Sequence, residues 1–366
     1  MDICLSKEQI SRFWKKKEFV SFVLSILVFF IHVSSLGQYS SSNEALVEVK
    51  SRMAFFLNES ITRFAVPMFF IISGLVFYRD YDNSKYLSKV KSRFFSLCIP
   101  YLIWNTVWMI FDIICSYTFI SSFFTGRVPF ELTFTNVIRS VFLAESNGPF
   151  WFVMYLIIFV FLAPVIDMIA KNKYVGAVTV VAITILASFP FAESSIIKID
   201  AIVFYLLGAI LGKHHFEFFV KRTSTVSRIT SCAFLIIYIL AKNIFRANDY
   251  IGKPSVKIII FALASYAMWS MVDLFIDKIK HRPIYSRSFP IFAMHINISA
   301  VICKIIYLLL PKSIYFALPN LLLTVSLTLL LINVFCYLLS RYLPSVYALL
   351  MGKGINKQKK KVEITN

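Results

Sequence analysis

Between Phe19 and Leu36 the chain carries no Asp, Glu, Lys or Arg. A helix through this run is long enough to cross a hydrocarbon core of about 30 Å at ~1.5 Å per residue. One ionisable group interrupts it, His32. At about 100° per residue, Ser21, Ser25, His32 and Ser35 fall within a wedge of roughly 80°, so the span carries one polar stripe. A membrane helix turns such a stripe toward protein or water, which directs His32 into a bundle interior.

The remainder of the chain demands the same solvent. Its hydrophobic content is 58% and its charged content 16%, against about 45–50% and 25% in globular proteins. With a mean hydropathy of +0.75, this is the composition of an integral membrane protein embedded in a lipid bilayer. The net charge of +19 does not call for nucleic acid, because Lys and Arg cluster in short segments between apolar runs, as the positive-inside rule requires. The six cysteines contain no CxxC pair and read as small buried hydrophobes, forming neither a disulfide framework nor a metal site. Ser35-Leu36-Gly37 mimics a cleavage site, but the apolar run exceeds a signal-peptide core of about 7–15 residues. The first span therefore reads as a retained anchor.

Lys15, Lys16 and Lys17 place the amino terminus in the cytoplasm, and residues 37–61 read as a polar outer loop. Further spans are expected over about 62–77, 94–119, 150–166, 174–191, 199–211, 229–245, 258–275, 288–310 and 314–339. Pro100 is a candidate kink. Basic segments alternate between the spans, including Arg79 to Arg93 and Lys278 to Arg287. Arg246, Lys253 and Lys257 depart from the pattern. The expected architecture is all-α, a polytopic bundle of about ten transmembrane helices with both termini cytoplasmic. Residues 1–345 form one domain and 346–366 a basic tail.

Val66-Pro-Met-Phe-Phe-Ile-Ile-Ser-Gly74 resembles the second-helix signature of the acyltransferase 3 family, membrane enzymes that modify bacterial cell-surface sugars. The first helix ending in His32, Phe150-Trp-Phe-Val-Met-Tyr155 with Pro164, Tyr205-Leu-Leu-Gly-Ala-Ile-Leu-Gly212 and Phe289-Pro-Ile-Phe-Ala-Met-His295 are similar to further elements of that family, in order. The resemblance implies an O-acyltransferase of the bacterial plasma membrane. It would carry an acyl group, most often acetyl, from cytoplasmic acyl-CoA to a hydroxyl of a surface polysaccharide or its lipid-linked precursor, without a metal. Two positions depart from the family pattern. Ser21 stands where a basic residue is common, and Ser96 replaces the second of two arginines, the first being Arg93. Lys17, Lys89 and Lys91 are long enough to compensate.

Such a transfer needs a base for the hydroxyl proton, and histidine titrates near neutrality. His32 is the catalytic candidate, as base or as the carrier of an acyl-histidine intermediate. It lies roughly 20 Å from the cytoplasmic edge by helical rise and His295 roughly 10 Å, so the two need not share a site. Arg93, His295 and Arg79 are the donor-binding candidates. Each has a structural alternative: His32 as a helix-packing hydrogen bonder, His295 bonded to Ser299, and both arginines as topology charges. Trp104, Trp108 and Trp151 suit packing or a sugar platform, and His214, His215 and His281 read as solvated. A polar stripe in a ten-span bundle also suits a transporter or flippase, although the paired broken helices or repeat of that class are not evident.

Overall fold

A computed structural model of the chain describes residues 5–33, 35–39, 41–123, 128–189, 198–245 and 253–353. Among them all regular structure is helical. The expected features at Cys4, Arg246 and the Lys357–Lys361 cluster lie outside these residues.

Helix α1 (Lys7–His32) begins on a capping box, in which the Ser6 hydroxyl accepts from the Gln9 amide and the Gln9 side chain accepts from the Ser6 amide. It stops at His32, not at Leu36. Val33 is extended and Ser35–Gln38 forms a 3₁₀ turn, so the α-helical register ends before Ser35. The expected outer loop is also largely helical. Asn43 caps α2 (Glu44–Phe55), whose Glu48–Arg52 pair stands at 2.7 Å, and the π turn Phe56–Ser60 leads into α3 (Ala65–Tyr78). A hydrophilic run with i,i+4 ion pairs supports an exposed helix as well as a loop.

Helix α4 (Tyr86–Arg93) passes through a second π turn, Phe94–Cys98, into α5 (Ile99–Tyr117). Pro100 follows that π turn, where a missing amide is accommodated. After α6 (Phe134–Phe142), α7 (Trp151–Phe161) and α8 (Ala163–Lys171) meet at a 72° bend just before Pro164. The chain continues as α9 (Lys173–Leu186), α10 (Ile199–His214), α11 (Phe216–Val220), α12 (Thr225–Ile244), α13 (Pro254–Val272), α14 (Ser288–Leu309), α15 (Ala317–Tyr342) and α16 (Pro344–Leu350).

Among the described residues six helical stretches are long and apolar enough to cross a membrane, or seven if the bent pair is one span. This is a multi-pass membrane protein, and six or seven of the ten expected spans meet that test among the described residues. The other three expected spans are occupied by helices that fall short: α1 loses its apolar run at His32, and α9 and α10 have 14 and 16 residues. Helices α3 and α10 pack most closely. A Cβ at Gly74 or Gly208 would collide with the backbone of the opposite helix, the small-residue contact by which membrane helices approach without hydrophobic drive. Helix α16 docks on α5, where Trp104 Nε1 donates to the Leu350 carbonyl at 3.0 Å.

Candidate active site

The polar stripe of α1 faces α14, and the two helices run in the same direction. Ser25 is fully buried. Its hydroxyl donates to the Ser21 carbonyl at 2.9 Å and across to the Ser288 carbonyl, the first residue of α14, at 3.2 Å. From that shared level each helix climbs about two turns to a histidine, and the rings of His32 and His295 lie 5.6 Å apart between centroids. The expected depths of roughly 20 and 10 Å assumed that α14 starts at the membrane edge. It starts instead inside the bundle, because Arg287 is buried and its Nη1 donates to the Asn333 carbonyl at 2.7 Å.

The two histidines differ in setting. His32, the last residue of α1, keeps an exposed side chain. His295 is fully buried, and its Nδ1 lies 3.0 Å from both the Ile291 and the Phe292 carbonyl oxygens. A carbonyl only accepts, so Nδ1 carries the hydrogen. The expected bond to Ser299 is absent, since the Ser299 hydroxyl donates to the Ile296 carbonyl. Nε2 of His295 is buried without a hydrogen-bond partner among the described residues. Phe29 and Phe292 flank the ring at 5.4 and 6.2 Å, and Trp108 Nε1 holds the adjacent Ala293 carbonyl at 2.8 Å. Trp108 thus serves as a packing hydrogen bonder.

Beneath the pair, toward the end of the bundle that carries Lys15–Lys17, lies a cavity of about 260 Å³. Lys17, Ser21, Ser25, Arg93, Tyr205 and Phe292 are among its lining residues. Lys17 and Arg93 stand at its basic mouth. Among the described residues neither has a carboxylate within ion-pair distance, and burial pulls the Lys17 ammonium below its ordinary value despite neighbouring Glu18. Two cations around a cavity without a resident anion form a site suited to a negatively charged ligand.

Of the residues singled out from sequence, Arg93 lines this cavity, while His295 sits beyond its end against His32. Arg79 lies elsewhere. It contacts Asp80 and stacks over Trp14 and Phe216 at 5.6 and 5.1 Å. Ser21, the first departure from the family pattern, faces the cavity one turn above Lys17, which places a cation on the same face. Ser96, the second, does not line it and has its backbone against Gly352. Lys89 lies over Phe77 at 5.5 Å. Tyr205, which opens the Tyr205–Gly212 element, also lines the cavity, a role that its place in an apolar helix does not signal. His214 and His281 are not merely solvated: they contact the Ala170 carbonyl at 2.8 Å and Glu18 at 3.0 Å.

At the opposite end of the bundle, the π turn Phe56–Ser60 packs against α1. Lys242 donates to the Glu59 carbonyl at 2.6 Å, Asn243 to the Ser60 hydroxyl at 2.9 Å, and Arg63 pairs with Glu59. No group of three or more His, Cys, Asp or Glu side chains that could hold a metal ion occurs among the described residues.

The family model for the acyltransferase 3 domain matches residues 21–341. The chain belongs to the acyltransferase 3 family. Neither the curated proteins nor the solved structures offer a match. The matched region contains the cavity, apart from Lys17, and both histidines, so a membrane acyltransferase is the setting in which their chemistry is read.

Proposed function

We propose that this acyltransferase moves an acyl group, acetyl in the simplest case, from acyl-CoA to a hydroxyl of a surface polysaccharide or its lipid-linked precursor in a bacterial plasma membrane. The observation that carries this reading is the Lys17–Arg93 end of a cavity, unpaired among the described residues, whose lining reaches Ser25 and Phe292, about two turns below His32 and one below His295. By the positive-inside rule the basic end faces the cytoplasm, where acyl-CoA is found. At about 260 Å³ the cavity is smaller than typical ligand sites of ~300–1,000 Å³. It suits the narrow pantetheine arm, with the nucleotide phosphates held outside by Lys17 and Arg93. The acceptor approaches from the other end, past the Glu59, Arg63 and Lys242 cluster.

His32 is the base in this scheme, because it alone of the pair has an exposed face. The acceptor oxygen forms the new C–O bond as its proton passes to His32. Collapse of the tetrahedral intermediate breaks the C–S bond, and the departing thiolate takes that proton. Membranes containing wild type or His32→Ala, supplied with labelled acetyl-CoA, test the assignment. Label is expected in glycan only with wild type. Equal labelling removes His32 from the chemistry, and labelling in neither removes acetyl-CoA as donor.

A further inference from the structure

We propose that His295 and His32 work as a dyad in which His295 is the positioning residue: its Nε2 accepts a ring N–H of His32 and leaves the other His32 nitrogen free to take the acceptor's proton. This deepens the reading above and rests on His32 being the base. The argument starts from the tautomer. Two backbone carbonyls occupy Nδ1 of His295, which fixes the hydrogen there, and the neutral ring then carries its lone pair on Nε2. That nitrogen is buried and has no partner among the described residues, a state that costs free energy unless something uses it. Of the three rings against His295, those of Phe29 and Phe292 have no N–H to offer, and the third is His32.

At 5.6 Å between centroids the rings are neighbours without a hydrogen bond between them, and catalytic hydrogen bonds commonly tighten only in the transition-state complex. His32 terminates its helix and is exposed, whereas His295 is clamped on both sides. Closing the gap is therefore a rotation of His32 toward a fixed acceptor. The bond would do for His32 what an orienting group does in any nucleophile–base–orienter arrangement: select one tautomer, aim the ring and hold the imidazolium that forms. The contact between Ser25, midway along α1, and Ser288, at the start of α14, lies seven residues before each histidine and so puts the two rings at one level. No net proton leaves the dyad, since His32 gains one from the acceptor hydroxyl and returns it to the leaving thiolate.

The test compares His295→Phe, which keeps a ring without a lone pair, with His295→Gln, whose carbonyl oxygen can accept. Both are measured in the full-length protein in bilayer discs beside His32→Ala, after thermal unfolding shows that each variant folds. His295→Phe is expected to lower kcat on the order of 10–100-fold with KM for the donor unchanged. The acidic limb of its kcat profile should move to lower pH, because the His32 imidazolium has lost its acceptor. His295→Gln should restore part of both. Nitrogen-15 imidazole spectra of the unliganded protein should show His295 as the Nδ1–H tautomer. Wild-type kcat and pH profile in folded His295→Phe, or a His295 ring protonated on Nε2 alone, overturns the dyad while leaving His32 as base. Full activity in His32→Ala overturns the base assignment and the dyad with it.

Discussion

Ser25 on α1 and Ser288 at the start of α14 are joined at 3.2 Å, and this contact marks the level from which two parallel, packed helices each climb about two turns to a histidine that meets the other. Because Ser25 is fully buried and also lines the cavity, its volume matters more than its hydroxyl. Ser25→Ala should cost only about 0.5–1.5 kcal/mol, the net worth of a hydrogen bond, and keep most activity. Ser25→Leu should overpack the contact by about 1–3 kcal/mol, raise KM for the donor and lower kcat together. Thermal unfolding and initial rates check both. A fully active Ser25→Leu would show that helix register does not govern the site.

The basic mouth should discriminate by charge. Lys17→Met and Arg93→Met each remove one cation facing the cavity. A hydrogen bond to a charged group contributes about 1.5–3 kcal/mol, so KM for acyl-CoA should rise on the order of 10–100-fold in each. Donor titration at fixed acceptor reads the change, and kcat should hold because neither group reaches the reacting atoms. An unchanged KM in the double variant would place the donor elsewhere. Arg79→Met, away from the cavity, should leave KM alone.

A second charged cluster stabilises the bundle without entering the site. Lys16 and Arg12 both bind Asp273 at 2.8 Å, and the Thr223 amide and hydroxyl complete its shell at 3.0 and 2.8 Å. Burial raises the Asp273 carboxyl, but Lys16 and Thr223 outweigh it and hold the group below its ordinary value. Burial lowers Lys16 to about 8 in spite of Asp273. Removing the anion strands the buried Lys16, while Arg12 keeps Asp277 at 2.7 Å, so Asp273→Asn should cost about 3–5 kcal/mol. Lys16→Met leaves Arg12 to neutralise Asp273 and should be close to neutral.

The two shifts have opposite pH signatures. The depressed Asp273 contributes stability that is complete above its unfolded value and lost as pH falls through its lower folded value. The depressed Lys16 binds its proton more weakly in the fold, so between its folded value of about 8 and its ordinary 10.5 stability should rise with pH. Unfolding midpoints of wild type against Lys16→Met should separate the alkaline effect, which the variant lacks. A midpoint that falls from pH 8 to 10 in wild type alone would contradict it.

The helices themselves were legible in sequence because apolar runs between basic segments leave few alternatives in a bilayer. Their ends and depths were not. The α1 run continues to Leu36 in hydropathy, yet the helix stops at His32 because Val33 turns extended. Composition does not register that turn. Arg287 read as an edge charge like its neighbours, but its guanidinium reaches a carbonyl on α15, a partner distant in sequence. A span that begins at the membrane edge sets His295 at the depth of Arg93, whereas its ring lies beside that of His32. The cavity face of α1 was legible because Ser21 and Ser25 share a helical side. Tyr205 was not, because one tyrosine in an apolar helix has no periodic signature.

Arg287 therefore offers a test of what holds α14 at its depth. In Arg287→Met the stem volume remains while the bond to the Asn333 carbonyl is lost, and with it the cost of keeping a cation buried. Those two changes oppose each other, so the unfolding midpoint should move little. The position of His295 should move more, because Arg287 immediately precedes Ser288 and is the charged tether at that end of the helix. Misplacement at an active site by about 1 Å can cost ~10²-fold, so kcat should fall substantially while KM for the donor, which we propose Lys17 and Arg93 set, stays near wild type. Arg287→Lys, which keeps the charge and one donor, should recover part of the loss. If Arg287→Met turns over at the wild-type rate, the Ser25–Ser288 contact alone suffices to hold the two histidines level.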